Sequence, residues 1–159
     1  MSSEEPLSDN KKWKVRSVTR LYALQALFQM EQSKQSADTV LSEFLEHRFG
    51  AEYEGERLEK GDEDLFTQII NEAVNQQAKI DQLTDKALVE KWPLNRIDPT
   101  LRALFRAAGS ELVRAKTAPR VIIVEYVDIA GAFFPSGKEA SFVNAVLDHM
   151  AHETYPKGF

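Results

Sequence analysis

The chain has 159 residues, a formal net charge of −5, 43% hydrophobic residues and no cysteine. That length fits one domain able to bury roughly two thirds of its unfolded surface without a metal or cross-link, and the missing thiols exclude disulfides, thiolate catalysis and sulfur-ligated metals. No signal-peptide pattern opens the chain and no apolar stretch has the length of a membrane span, so a soluble cytoplasmic protein is expected.

Few glycines and prolines among many Leu, Ala, Glu, Lys and Gln favour helices. Residues 1–11 read as a disordered lead, residues 12–152 as one all-α domain of six to seven helices, and residues 153–159 as a tail. A first helix is predicted from about Ser17, with Leu21, Leu24, Leu27 and Phe28 on one face and Arg16 and Arg20 one turn apart on another. Between Asn10 and Met30 stand five basic residues (Lys11, Lys12, Lys14, Arg16 and Arg20) and no acid, which leaves −10 on the other 138 residues. A positive patch on an acidic body points to a defined anionic ligand; a solvated basic arm is the alternative on charge alone.

A second helix is predicted from Ala37 to Phe49, capped by Ser36 or Asp38 and ended by Gly50, with Leu41, Phe44, Leu45 and Phe49 inward. The acidic run 51–61 reads as a surface loop. One long helix is expected from Asp62 to Leu83, with Phe66, Ile69, Ala73, Ile80 and Leu83 as its stripe and Asp62, Glu63 and Asp64 at its positive end. Thr84 or Asp85 is then expected to cap a shorter helix that stops before Pro93, with Trp92 at the corner.

Asp98-Pro99 is a helix restart, an N-cap followed by proline at the first helical position. Ile97, Leu101, Leu104, Phe105, Ala108 and Leu112 give that helix an apolar face, with Arg102 and Arg106 beside it. The β-branched run 121–124 has strand propensity. However, Ile123, Val127, Ala130 and Phe134 keep helical spacing beyond strand length and no second strand stands ready to pair, so residues 120–134 are predicted as a buried helix. Ser136 and Glu139 have the spacing of a capping box for a last helix to about His152, with Phe142, Val146 and Met150 in line and Val143 and Leu147 beside them.

Four separated blocks carry a resemblance. Residues 16–29, reading Arg-Ser-Val-Thr-Arg-Leu-Tyr-Ala-Leu-Gln-Ala-Leu-Phe-Gln, resemble the arginine-bearing first helix of the NusB transcription antitermination family. Ile80-Asp81 and Trp92-Pro-Leu-Asn-Arg-Ile97, followed by Leu101-Arg-Ala-Leu-Phe-Arg106 and Glu111-Leu112, are similar to its middle section. Residues 121–130 and Phe142-Val-Asn-Ala-Val-Leu-Asp148 are similar to its last two helices. Ser17 and Val18 stand where relatives are often basic, Ser141 where many carry lysine, Val124 in place of an asparagine and Ala145 in place of a second glycine.

The resemblance implies an all-helical, non-catalytic protein without a cofactor. It would bind single-stranded boxA RNA of nascent ribosomal RNA leaders as a heterodimer with NusE, the small-subunit ribosomal protein, within the RNA polymerase antitermination complex. It would have no membrane partner, and whether it is a monomer or a homodimer when free stays open. The RNA-binding residues implied are Lys12, Lys14, Arg16, Arg20 and Phe142. If four phosphates were contacted, log affinity for a single strand would fall against log salt with a slope of about −3. Two other readings remain: a non-catalytic domain related to ribosomal RNA cytosine methyltransferases, and a helical protein-interaction module that has lost RNA binding.

Each candidate has a plainer reading. Phe142 shares its line with Val146 and Met150 and so reads equally as core or as a surface for a splayed base. Trp13 invites base stacking, but a loose arm residue explains it as well. Arg102 and Arg106 read as ion-paired with carboxylates such as Glu111. His149 and His152 lie three apart, but with no cysteine, and with Asp148 and Glu153 off their face, a metal site is not expected. No nucleophile setting or Gly-rich phosphate loop occurs, so no catalytic residue is assigned.

Overall fold

The computed structural model describes residues 9–49, 52–53, 56–57, 61–88 and 97–159, with the side chains of 9–13 and of 52–53 and 56–57 left aside. Among the described residues are seven α-helices: α1 Asp9–Ser33, α2 Ala37–Glu43, α3 Glu63–Asn75, α4 Gln77–Ala87, α5 Pro99–Arg114, α6 Pro119–Phe133 and α7 Lys138–Thr154. A π-helical turn, Phe44–Arg48, continues α2. Within the acidic run expected as a plain loop, β1 Glu52–Tyr53 pairs antiparallel with β2 Glu56–Arg57.

The first helix is longer than its apolar pattern. Neither glycine nor proline interrupts residues 9–33, so the helix extends two turns ahead of Ser17 and carries the lysines on helical backbone rather than on a loose arm. It stops where Lys34 turns left-handed at φ 62°. Of the two expected caps for α2, Ser36 is the one used, its side chain accepting from the Thr39 amide. The stretch from Ala37 then packs Val40 and Phe44 inward, and an aromatic cluster joins α1, α2 and α3. Tyr22 stacks on Phe49 at 4.8 Å, Phe44 on Phe66 at 5.6 Å, and Phe49 meets Phe66 edge-on at 5.0 Å.

The single helix expected from Asp62 to Leu83 is two helices. Asp62 caps α3 through the Leu65 amide as its position predicts, but Gln76 (φ −111°, ψ 18°) leaves helical geometry and α4 starts anew at Gln77. The break lets α3 lie along α1 and α5 while α4 turns onto α5 and α7. Thr84 and Asp85 consequently sit inside α4 instead of capping a further helix; Thr84 is buried and its hydroxyl donates back to the Ile80 carbonyl at 2.8 Å. Trp92 and Pro93, like Gly50, lie outside the described residues.

Asp98 caps α5 as expected, accepting from Thr100 N at 2.7 Å, with Pro99 at the first helical position. Beyond the predicted apolar face, Ala103, Ala107, Gly109, Ser110 and Glu111 are buried too, because α5 is enclosed by α1, α3, α4, α6 and α7. The β-branched segment is helical, as its period predicted. Ile122, Ile123, Glu125, Tyr126, Ile129 and Ala130 of α6 are buried, whereas Val121 and Val124 face outward.

The expected capping box is not formed. Gly137, left-handed at φ 84°, takes the N-cap position of α7, and Ser136 Oγ instead donates to the Glu139 carboxylate at 2.9 Å, side chain to side chain. Val143, Val146, Leu147 and Met150 line the buried face of α7. The residues expected as a tail are docked: α7 runs to Thr154, Tyr155 donates its hydroxyl to the Leu112 carbonyl at 3.0 Å, and Phe159 packs against the core.

Candidate nucleic-acid interface

The five residues marked as RNA-binding do not form one surface. Lys14 and Arg16 are exposed on the first turns of α1, without an ion pair. Lys12 lies on the same helical backbone, but its side chain, like those of Lys11 and Trp13, is outside the described residues. Arg20 belongs elsewhere. It is 1% exposed, and its guanidinium is enclosed by two carboxylates: Nε and Nη2 donate to Glu111 at 2.9 and 3.0 Å, and Nη1 donates to Glu125 at 2.9 Å.

This corrects the expectation that Arg20 faces phosphate, and the reason is geometric. Leu24 and Leu27 follow Arg20 at i+4 and i+7, so the arginine stands on the apolar stripe of α1 rather than opposite it. Around it Glu111 also accepts from Tyr126 Oη at 2.7 Å, and Glu125 accepts from Ser17 Oγ at 2.9 and 3.0 Å. Glu111 of α5 and Glu125 of α6 are 4% and 3% exposed, so one cation, two carboxylates and two hydroxyls share a buried site where three helices meet.

Burial lowers the Arg20 pKa, but the hydrogen bond and charge of Glu111 outweigh it and hold the guanidinium above its ordinary value. Burial, and then the charge of Glu111, pushes the Tyr126 phenol well above its usual range, so it acts as a hydrogen-bond donor. A fourth polar tie secures the same end of α1. Thr19 Oγ1 donates to Val15 O at 2.6 Å and accepts from the Asp62 amide at 2.7 Å, fixing α1 to the start of α3.

Phe142 is half-buried and stands edge-on to Phe105 with ring centroids 6.1 Å apart. Its ring therefore joins the core on one side and remains partly open on the other. Arg102 and Arg106 are ion-paired, as expected of helix arginines, but their partners are Glu31 and Asp81 rather than Glu111. Arg102 grips Glu31, while Arg106 bridges Glu31 at 3.0 Å and Asp81 at 3.0 Å. The hydrogen bond from Arg102 holds the Glu31 carboxyl below the usual range. His149 and His152 each face a carboxylate one turn away, Glu153 at 3.7 Å and Asp148 at 3.5 Å. Among the described residues no three His, Asp or Glu side chains are placed to hold a metal ion, and no helix is long and apolar enough to cross a membrane.

A second surface went unnoticed in the sequence. Phe28, on the α1 stripe, and Phe133, at the end of α6, are 36% and 41% exposed and line one groove of about 520 Å³ with Leu24, Phe44, Arg48 and Thr100. The available signal was that both rings sit at the edge of an apolar stripe whose neighbours Gln25, Gln29 and Gln32 are uncharged.

Helices wrapped around one buried helix, with unpaired cations on the outer turns of α1 and an apolar groove farther along it, define an all-helical binding protein. The chain belongs to the NusB family, whose model matches residues 17–152. It is 47% identical to the transcription antitermination protein NusB of Caulobacter vibrioides over 139 residues, covering 87% of this chain and 93% of that one. The protein of the same name from Maricaulis maris is 42% identical over 159 residues, covering 99% and 98%. Among solved structures, T. maritima NusB superposes with a TM-score of 0.72 at 29% identity, covering 89% of this chain and 94% of that one. A complex of the antitermination factors NusB and NusE with dsRNA contains a chain of the same fold, at a TM-score of 0.72 and 19% identity, with 88% and 98% covered. The family is one of non-catalytic transcription antitermination factors.

Proposed function

We propose that this protein binds the boxA element of nascent ribosomal RNA leaders as a heterodimer with NusE, and so takes part in the RNA polymerase antitermination complex. The observation that carries the reading is the exposed, unpaired pair Lys14 and Arg16 on a helix with no acid between Asn10 and Met30, in a chain of net charge −5. Such cations neutralise phosphates and release counterions. The solved NusB–NusE–dsRNA complex, said of its own proteins, is in keeping with both partners.

With Arg20 buried, Lys12, Lys14 and Arg16 remain for phosphate, and the expected salt slope for a single strand becomes about −2. Titration of boxA RNA at several salt concentrations, with purified NusE, tests this. Replacing Lys14 and Arg16 together by alanine should make the slope shallower by about 1.4; equal affinity and slope in the two proteins would remove the site. Phe142 offers its open edge to a base, so Phe142→Leu should weaken RNA binding without altering the slope.

The groove between Phe28 and Phe133 is the seat proposed for the protein partner, since exposed aromatic pairs mark protein contacts. Phe28→Glu is expected to weaken NusE binding about tenfold or more, while leaving binding of RNA to the protein alone unchanged. A calorimetric titration with NusE that gives the parent affinity would exclude the groove.

A further inference from the structure

We propose that Ser17 is a positioning residue of the basic surface, its bond to Glu125 fixing the direction in which residues 9–16 of α1 leave the body of the protein. The proposal rests on the RNA reading above. Ser17 Oγ lies 2.9 and 3.0 Å from the two carboxylate oxygens of Glu125, and Glu125 in turn is 3% exposed and held by Arg20 Nη1 at 2.9 Å. The hydroxyl therefore reaches α6 through a carboxylate that cannot swing away.

Ser17 is also the outermost such tie. Thr19 and Arg20, two and three residues farther in, bond to α3, α5 and α6, whereas the described side chains ahead of Ser17, Lys14 to Arg16, make no hydrogen bond or ion pair to another helix. From Ser17 back to Asp9 the helix projects about 12 Å, at about 1.5 Å per residue. A tilt of about 10° at that point would move its tip by about 2 Å, more than the tolerance of a charge-assisted hydrogen bond to phosphate. Loosening the latch would thus cost RNA affinity without removing a cation or opening the core.

The test compares Ser17→Thr, which keeps the hydroxyl, with Ser17→Val, which places a methyl where that variant has its hydroxyl, and with Ser17→Ala, which suits a helix. Each full-length protein is titrated with boxA RNA and NusE across a salt series, with thermal unfolding as control, beside the parent and the Lys14→Ala, Arg16→Ala double variant. Val and Ala are expected to lower affinity by about three- to tenfold at every salt concentration, the scale of coupling through a packed element. Their lines should run parallel to the parent's, and Thr should restore binding. Parent affinity in Val and Ala, with the double variant weakened, overturns the latch alone. A slope shallower by about 0.7 in Val and Ala overturns it too, by making Ser17 a phosphate contact. Parent behaviour in all variants, the double variant included, overturns the RNA reading and the latch with it.

Discussion

Arg20→Met should cost about 3–5 kcal/mol of folding free energy, because it leaves two buried carboxylates without their cation. Arg20 is 1% exposed, and Glu111 and Glu125 have no other cationic partner among the described ion pairs. The three groups came out of water together, and only their mutual bonds offset that transfer; deleting the arginine keeps the transfer penalty and removes the offset. Since a domain is stable by only about 5–15 kcal/mol in total, the variant should unfold at a much lower urea concentration than the parent.

Replacing the whole cluster separates burial of charge from loss of packing. In Arg20→Met/Glu111→Gln/Glu125→Gln no charge remains at the junction of α1, α5 and α6, while the amide that replaces the Glu111 carboxylate still offers an oxygen to the Tyr126 hydroxyl. That triple variant is expected to be more stable than Arg20→Met alone. If urea unfolding of the single variant shows a loss under about 1 kcal/mol, the cluster is not the charge-compensated site that its distances imply. The same argument bears on RNA binding: a failure of Arg20 variants to bind RNA would report on α1 leaving its place. Lys14 and Arg16, exposed and unpaired, are the positions where binding can be read apart from folding.

How far the sequence could carry this depended on which signal each element used. Period decided α6: strand-forming residues stand at helical spacing, and burial of Ile122, Ile123, Tyr126, Ile129 and Ala130 followed from that spacing. Composition could not decide the break at Gln76, because Asn75-Gln76-Gln77 contains no helix breaker; the turn there is set by α4 packing onto α5 and α7. The opposite holds at Ser136, where a local motif was overridden by Gly137 in a left-handed conformation one residue later.

At the site, the sequence marked cations but not their depth. Arg16 and Arg20 are one turn apart, yet only Arg20 is on the stripe of Leu24 and Leu27 at the level of the core. The legible warning lay elsewhere in the chain, in Glu111 and Glu125. Both are acids set inside apolar runs, at Ser110-Glu-Leu112 and Val124-Glu-Tyr126, and an acid in such a place calls for a buried cation. One arginine on an apolar stripe and two acids in apolar helices are the two halves of one ion cluster. Their pairing needs the tertiary fold, which places residues 91 and 105 positions apart in contact.

The second large effect is expected at Gly109, where α5 and α4 approach most closely. A Cβ at this position would lie 2.5 Å from Ile80 Cγ2 and 3.4 Å from Met150 Cε, and all three residues are buried. Ile80 is β-branched, so its χ1 is stiff and the clash cannot be relieved by a rotamer change; α4 must move away from α5. Gly109→Val should therefore destabilise by about 2–3 kcal/mol even though valine is the better helix former. Gly109→Ala should lose less, since its gain in helix propensity of about 1 kcal/mol opposes the smaller overlap. Ile80→Ala removes the offending methyl and by itself should cost about 2–5 kcal/mol through the cavity it leaves. In the double variant Gly109→Ala/Ile80→Ala the new methyl enters the space vacated by the old one, so the loss should be smaller than the sum of the two single losses by about 1 kcal/mol or more. Strict additivity in a urea-unfolding cycle would mean that the helices separate freely at this crossing, and that Gly109 is not what sets the distance between α4 and α5.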